Sequence, residues 1–245
     1  MKAALRLEVL EARDVPAVLV DQGHDAYAWA LINQMRLNPT QFADQLQGFL
    51  NGTGGAFGFS ATDPVLADLR EAINNAAFPT NVGTALSFIR GTTAEGPLAW
   101  DDLLEDRAGN HNGWMRTHSF EHTEQDNPGK NYIPGYETGY TGGSPDSYGY
   151  NPNPYNSWGE NIGYNVGGLS NTKQAYNAGT LTLGQLQQRA AFLDTVGYIL
   201  ELNSPTMGHL QNLLARDSGP AGGTARFNSI GLRVDLFEAP GGYEV

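Results

Sequence analysis

Three side chains, far apart in the chain, have the chemistry to form one reactive or ligand-binding site. Glu160 lies in Trp158-Gly159-Glu160-Asn161-Ile162. His122 lies upstream in Phe120-Glu121-His122-Thr123, and His209 lies downstream in Ser204-Pro205-Thr206-Met207-Gly208-His209-Leu210. Two imidazoles and a carboxylate are the raw material of a metal site or of acid/base chemistry. With three protein ligands a divalent ion such as zinc keeps a position for water, and that water serves hydrolysis with Glu160 as ligand or base. The alternative is a hydrogen-bonded His/Glu cluster that holds helices and sheet in register. A metal-free hydrolase is a third reading. It would use Ser204, close in sequence to His209, but the chain has no nucleophile-elbow motif.

The other histidines carry weaker signals. His111 falls in a stripe with Leu104, Ala108 and Met115, spaced as one helix face. A histidine there reads as a hydrogen-bonded core residue or as a ligand. His118 and His122 are four apart, a zinc-like spacing, but without the Glu of His-Glu-x-x-His.

The elements that must position these groups follow from periodicity and punctuation. Helices are expected from His24 to about Arg36, from Thr40 to Leu50, from the Thr62-Asp63-Pro64 start through Ala77, and from Leu98 to Thr117. Residues 78–97 read as loop plus a short helix. Leu183 to Leu202 is a further helix, with Leu183, Leu186, Ala190, Leu193, Val196, Ile199 and Leu200 apolar; Asn203-Ser204-Pro205 breaks it, and Met207 to Ala215 makes a short helix. From Phe227 to Phe237, Ile230, Leu232, Val234 and Leu236 alternate as in a half-buried strand, and Gly241 to Val245 suggests another.

Composition narrows the partners. The chain of 245 residues has a formal net charge of −12, and its only lysines are Lys2, Lys130 and Lys173. Such a chain repels nucleic-acid phosphates and anionic membranes. With no cysteine, disulfides, thiolate catalysis and Cys-ligated zinc are excluded. No run has the length of a membrane span. Residues 1–22 read as a leader-like or edge segment. Leu7 to Ala17 resembles a leader of large exported bacterial proteins, although Glu8, Glu11, Arg13 and Asp14 interrupt any signal-peptide core. Residues 23–245 read as one domain, with a Gly/Tyr/Pro-rich insertion at about 124–157. Tyr132, Tyr136, Tyr140, Tyr148, Tyr150 and Tyr155 lie there, as a binding surface or lid, or as packing onto the body.

The motifs come in a particular order: Leu98-x-Trp100, Leu104, Ala108, His111, Met115, Phe120-x-His122, then Gly159-Glu160-Asn161-Ile162, then Ser204-Pro205 with Gly208-His209, then Ile230-Gly231. Together with Asn33-x-x-Arg36 on the first helix, this order resembles the CAP superfamily (SCP domains; cysteine-rich secretory proteins, antigen 5, pathogenesis-related 1). The likeness is to its cysteine-free bacterial branch, over about Asp25 to Phe237. The resemblance implies an α+β fold, an α-β-α sandwich with a small antiparallel sheet between helical layers. It also implies a cavity lined by His122, Glu160 and His209, with Asn161 beside Glu160; these three would hold zinc or another divalent cation. A second cavity glutamate has no assigned match, Glu201 being near in sequence. The implied role is a secreted or cell-surface binding module for a lipid, sterol or protein ligand, the alternative being a metal site that supports hydrolysis.

Overall fold

A computed structural model of the protein describes residues 23–102, 104–105, 108–109, 112, 168–214, 228–234, 237–239 and 242–244. The described chain is mostly helical. In order it forms α1 (Gly23–Leu37), α2 (Pro39–Leu50), a 3-10 turn (Ala56–Gly58), α3 (Pro64–Asn75), α4 (Asn81–Arg90), β1 (Ala99–Trp100), α5 (Ser170–Asn177), α6 (Leu183–Ile199), α7 (Gly208–Leu213), β2 (Ser229–Ile230), β3 (Phe237–Ala239) and β4 (Gly242–Glu244). Residues 102, 104, 105, 108, 109 and 112 are also helical.

The expected α-β-α sandwich is not what the described residues form. Among the described residues β1 pairs with β2 in parallel over two residues, and β3 pairs with β4 as a separate antiparallel hairpin. No antiparallel sheet lies between helical layers there. Ile230, Leu232 and Val234 do pack against the core, but the described backbone bonds of residues 233–234 go to side chains instead of a neighbouring strand. The Val234 amide donates to Asp25 Oδ1 at 2.7 Å, and the Arg233 carbonyl accepts from Asn112 Nδ2 at 3.1 Å. Those bonds satisfy polar groups that a ladder would otherwise take up.

α6 is the central helix. Leu186, Ala190, Leu193, Val196 and Ile199 are buried, and so are Ala191 and Phe192, so the helix is covered around most of its girth. α1 lies along it, and the core cluster runs from Ala28 to Val234. Leu183, expected among the apolar set, sits in the first turn and is exposed. Phe49, Phe57, Phe59 and Phe192 meet edge to face or tilted at one end of this core, with Phe59 and Phe192 centroids 4.9 Å apart. Thr182 and Gln185 start α6 with a reciprocal capping box.

The helix expected from Leu98 begins later. Leu98 is held in an extended entry to β1 by Asn33, which accepts from the Leu98 amide at 2.7 Å and donates to its carbonyl at 3.1 Å. Asp101 is the turning point; its carboxylate accepts from the Leu104 amide at 3.2 Å, as an N-cap does. Gly231 follows β2 where the chains crowd: a Cβ there would lie 2.1 Å from the Glu105 amide nitrogen. Only glycine lets these backbones pass, which accounts for the Ile230-Gly231 pair.

Candidate functional site

His209 is the one expected site residue inside the described chain; His122, Glu160 and Asn161 lie outside the described residues, as do residues 1–22 and the insertion at 124–157. The site is therefore built from His209 outward.

α6 ends one turn before the sequence punctuation suggests. The Glu201 amide bonds to the Tyr198 carbonyl at 3.2 Å, and the Leu202 amide bonds to the Gly197 carbonyl at 3.2 Å. This is the paired closure of a Schellman motif, whose turning residue adopts left-handed backbone and is usually glycine. Here it is Glu201, at φ 53°. A side chain in that conformation costs about 1–2 kcal/mol, so its use here needs a compensating interaction.

The Glu201 carboxylate supplies one. It is fully buried, with Oε2 2.8 Å from His209 Nδ1 and Oε1 accepting from the Leu210 amide at 2.7 Å. One carboxylate thus binds both the imidazole and the first turn of the helix that carries it. The far end of α7 is gripped by a charge of opposite sign: Arg36 Nη1 donates to the Leu213 carbonyl at 3.2 Å, while its Nε donates to the Gly96 carbonyl at 3.0 Å. An anion at the start of a helix and a cation at its end both match the direction of the backbone dipoles. The Asn33-x-x-Arg36 pair noted in the sequence is thus a brace for β1 and α7.

The connection between α6 and α7 is pinned from the side. Asn81, in the first turn of α4, donates through Nδ2 to the carbonyls of Glu201 at 2.9 Å and Ser204 at 2.8 Å. Ser204 Oγ donates to the Thr206 carbonyl at 3.0 Å and accepts from the Thr206 amide at 3.2 Å. That hydroxyl closes the loop, and His209 Nδ1 is directed to Glu201. In the described chain Ser204 thus has a turn-forming role, and the group that orients His209 is Glu201.

Two side chains of α6 interact with the imidazole, one by ring contact and one through charge. The Tyr198 ring lies 5.2 Å from the His209 ring, tilted by 52°. Asp194, one turn earlier, keeps some exposed surface as a residue, yet burial of its carboxyl pushes it up to about 7, partly opposed by the charge of His209. Two titratable groups that interact in one place are a common signature of a functional site. Neither Asp194 nor Tyr198 stood out in the sequence, where both fall within an ordinary helical run; Glu201 was visible only as a carboxylate close in sequence.

With a carboxylate on Nδ1, the tautomer that carries its proton there is the one Glu201 favours. The side chain is 27 % exposed. Glu201 therefore fixes the direction of the ring. Among the described residues no group of three or more His, Cys, Asp or Glu is arranged to hold a metal ion, and no helix is long and apolar enough to cross a membrane. An open groove between α3 and α5 lies elsewhere; of its polar groups, Asp63 pairs with Arg189, and Asn171 donates to Asp68 at 2.9 Å.

Comparison with family models, curated proteins and solved structures finds no match to this chain.

Proposed function

We propose that this chain is an exported, extracellular binding module whose polar anchor is His209, and that the ligand taken at His209 is a divalent cation of the zinc class. The observation that carries the reading is the Glu201–His209 contact of 2.8 Å, made by a fully buried carboxylate on strained backbone. A carboxylate behind Nδ1 is the arrangement that orients and strengthens an imidazole as a metal ligand. His209 fits the donor chemistry of such an ion. His122 and Glu160 are the further ligands that the motif order supplies, with Asn161 beside them. When bound, the ion would act as a Lewis acid toward a ligand or water. His209 contributes a neutral imidazole in a set direction, and Glu201 keeps its proton on Nδ1.

The motif resemblance to the CAP superfamily supports a binding role for the same pocket, through its sequence motifs and not through a layered sheet. In that reading the module takes a lipid, sterol or protein ligand. Strong negative charge favours neutral or basic partners over nucleic acid and anionic lipid.

Zinc calorimetry on the metal-stripped chain tests the proposal. One-to-one binding that is lost in His209→Ala and His122→Ala, and weakened about 10–100-fold in Glu201→Gln, is the expected result. A folded wild-type chain that takes up no zinc, cobalt or manganese would sink the metal site and leave the lipid, sterol and protein ligands to be assayed.

A further inference from the structure

A second buried carboxyl lies away from His209, where the first helix meets the end of the described β segment. Asp25 is in the first turn of α1 and is fully buried. Its Oδ1 accepts from the Val234 amide at 2.7 Å. Its Oδ2 is also buried and has no hydrogen-bond partner among the described residues. A buried carboxylate oxygen left without a donor is costly, and it is rare in native proteins.

The groups around it come from three parts of the chain. His24, next to it on α1, places Nε2 3.7 Å from Oδ1. Arg233 faces it from the segment after β2, and Glu105 faces it from the helical stretch after β1. Arg233 and Glu105 pair with each other at 3.0 Å, which spends much of the positive charge that would otherwise favour an Asp25 anion. Val234 anchors the segment in the core and Arg233 pairs with Glu105, and beyond the Ser229–Ile230 pairing the described backbone bonds of residues 231–234 go to Asp25 at Val234 and to Asn112 at Arg233.

We infer that Asp25 is a pH-sensitive latch: as a neutral acid it holds residues 231–234 against α1, and its ionisation favours release of that segment. A closed segment keeps the carboxyl out of water, and release lets water reach both oxygens. Burial raises Asp25 from 3.8 to about 6, against the opposing pull of His24, the Val234 bond and Arg233. The sign follows from linkage. The closed state binds the proton more tightly than the open one, so closure is favoured at low pH and loses that advantage as pH rises through about 6. If release restores an ordinary carboxyl, the opening constant rises by at most about 100-fold.

Amide hydrogen exchange at Val234 in the full chain, followed from pH 4 to 8 and corrected for intrinsic exchange, tests the latch. Wild-type protection should fall by tens of fold to about 100-fold with a midpoint near 6, and the fall should vanish in Asp25→Asn. His24→Gln should keep the fall and move it to higher pH, because it removes a cation that favours ionisation. Flat wild-type protection, persistence of the fall in Asp25→Asn, or its loss in His24→Gln overturns the proposal. Should Asp25→Asn fail to fold, carboxyl carbon titration of Asp25 in the wild type decides: a midpoint near 6 supports the latch, and one in the ordinary carboxylate range overturns it.

Discussion

Glu201 holds His209 through a contact of 2.8 Å from Oε2 to Nδ1, and it does so from a left-handed backbone position at φ 53°. Strain and orientation are therefore borne by the same residue. Glycine would close α6 without strain, but it could neither orient the imidazole nor cap α7. Backbone strain kept at a residue that orients a reactive group is the pattern expected of a functional site.

A substitution series separates the two roles. Glu201→Ala keeps the unfavourable backbone and loses the carboxylate; Glu201→Gly loses both. Glu201→Gly should be more stable than Glu201→Ala by about 1 kcal/mol, with both less stable than wild type. In either variant nitrogen NMR of His209 should show loss of the dominant Nδ1–H tautomer. Equal stability of the two variants in chemical denaturation would remove the argument from strain.

Gly231 should tolerate no side chain. A Cβ there meets the Glu105 amide nitrogen at 2.1 Å and the Leu104 carbonyl carbon at 2.2 Å, both backbone atoms that cannot swing aside. Gly231→Ala should cost about 1–3 kcal/mol or more, read as a lower denaturation midpoint. Gly83, with open space around its Cβ position, is the control, and Gly83→Ala within α4 should be neutral or slightly stabilising.

Asp63 and Arg189 form a buried two-point ion pair, with Nε to Oδ1 at 2.9 Å and Nη2 to Oδ2 at 2.5 Å, and the guanidinium stands over the Phe59 ring at 5.2 Å. Asp63 also caps α3 through the Val65 amide at 3.1 Å. Removing one partner leaves a buried charge, so Arg189→Met should cost about 3–5 kcal/mol. The double variant Asp63→Asn with Arg189→Met should cost less than the sum of the singles. Additive costs in the denaturation cycle would show that the two charges are not coupled.

Stability should fall as pH rises from about 4 to 8. Asp25 and Asp194 both have folded-state values raised by burial, to about 6 and about 7, so each contributes stability that is fully present below 3.8 and is lost as pH rises through the folded value. For Asp25 the gap corresponds to about 3 kcal/mol, at about 1.4 kcal/mol per pH unit. Urea denaturation across this range should show a flatter profile in Asp25→Asn and Asp194→Asn, and flattest in the double variant. A wild-type profile that rises from pH 5 to 7 would contradict both assignments.

Much of the local structure was legible because its causes are local. α1, α2 and α3 begin and end within a few residues of where periodicity, Pro39 and the Asp63-Pro64 start put them. The start of α6 at Leu183 and the short α7 follow from periodicity in the same way. His209 lies on α7, within the short helix expected from Met207 to Ala215.

What the tertiary structure decided is non-local. The alternation of Ile230, Leu232 and Val234 specifies only that one face is buried, and the partners that satisfy the backbone are Asp25 and Asn112, more than a hundred residues away. A strand pattern therefore became a two-residue parallel pairing followed by side-chain bonds, and the antiparallel layer did not form among the described residues. Likewise Asn33 and Arg36, which the sequence presents as a polar motif, act as braces only because Leu98, Gly96 and Leu213 come to them in space. The role of Glu201 depends on an early end to α6 and on the return of α7 over it. A sequence records residue types and spacing; which buried polar group meets which partner is settled when distant segments close on one another and each must be satisfied.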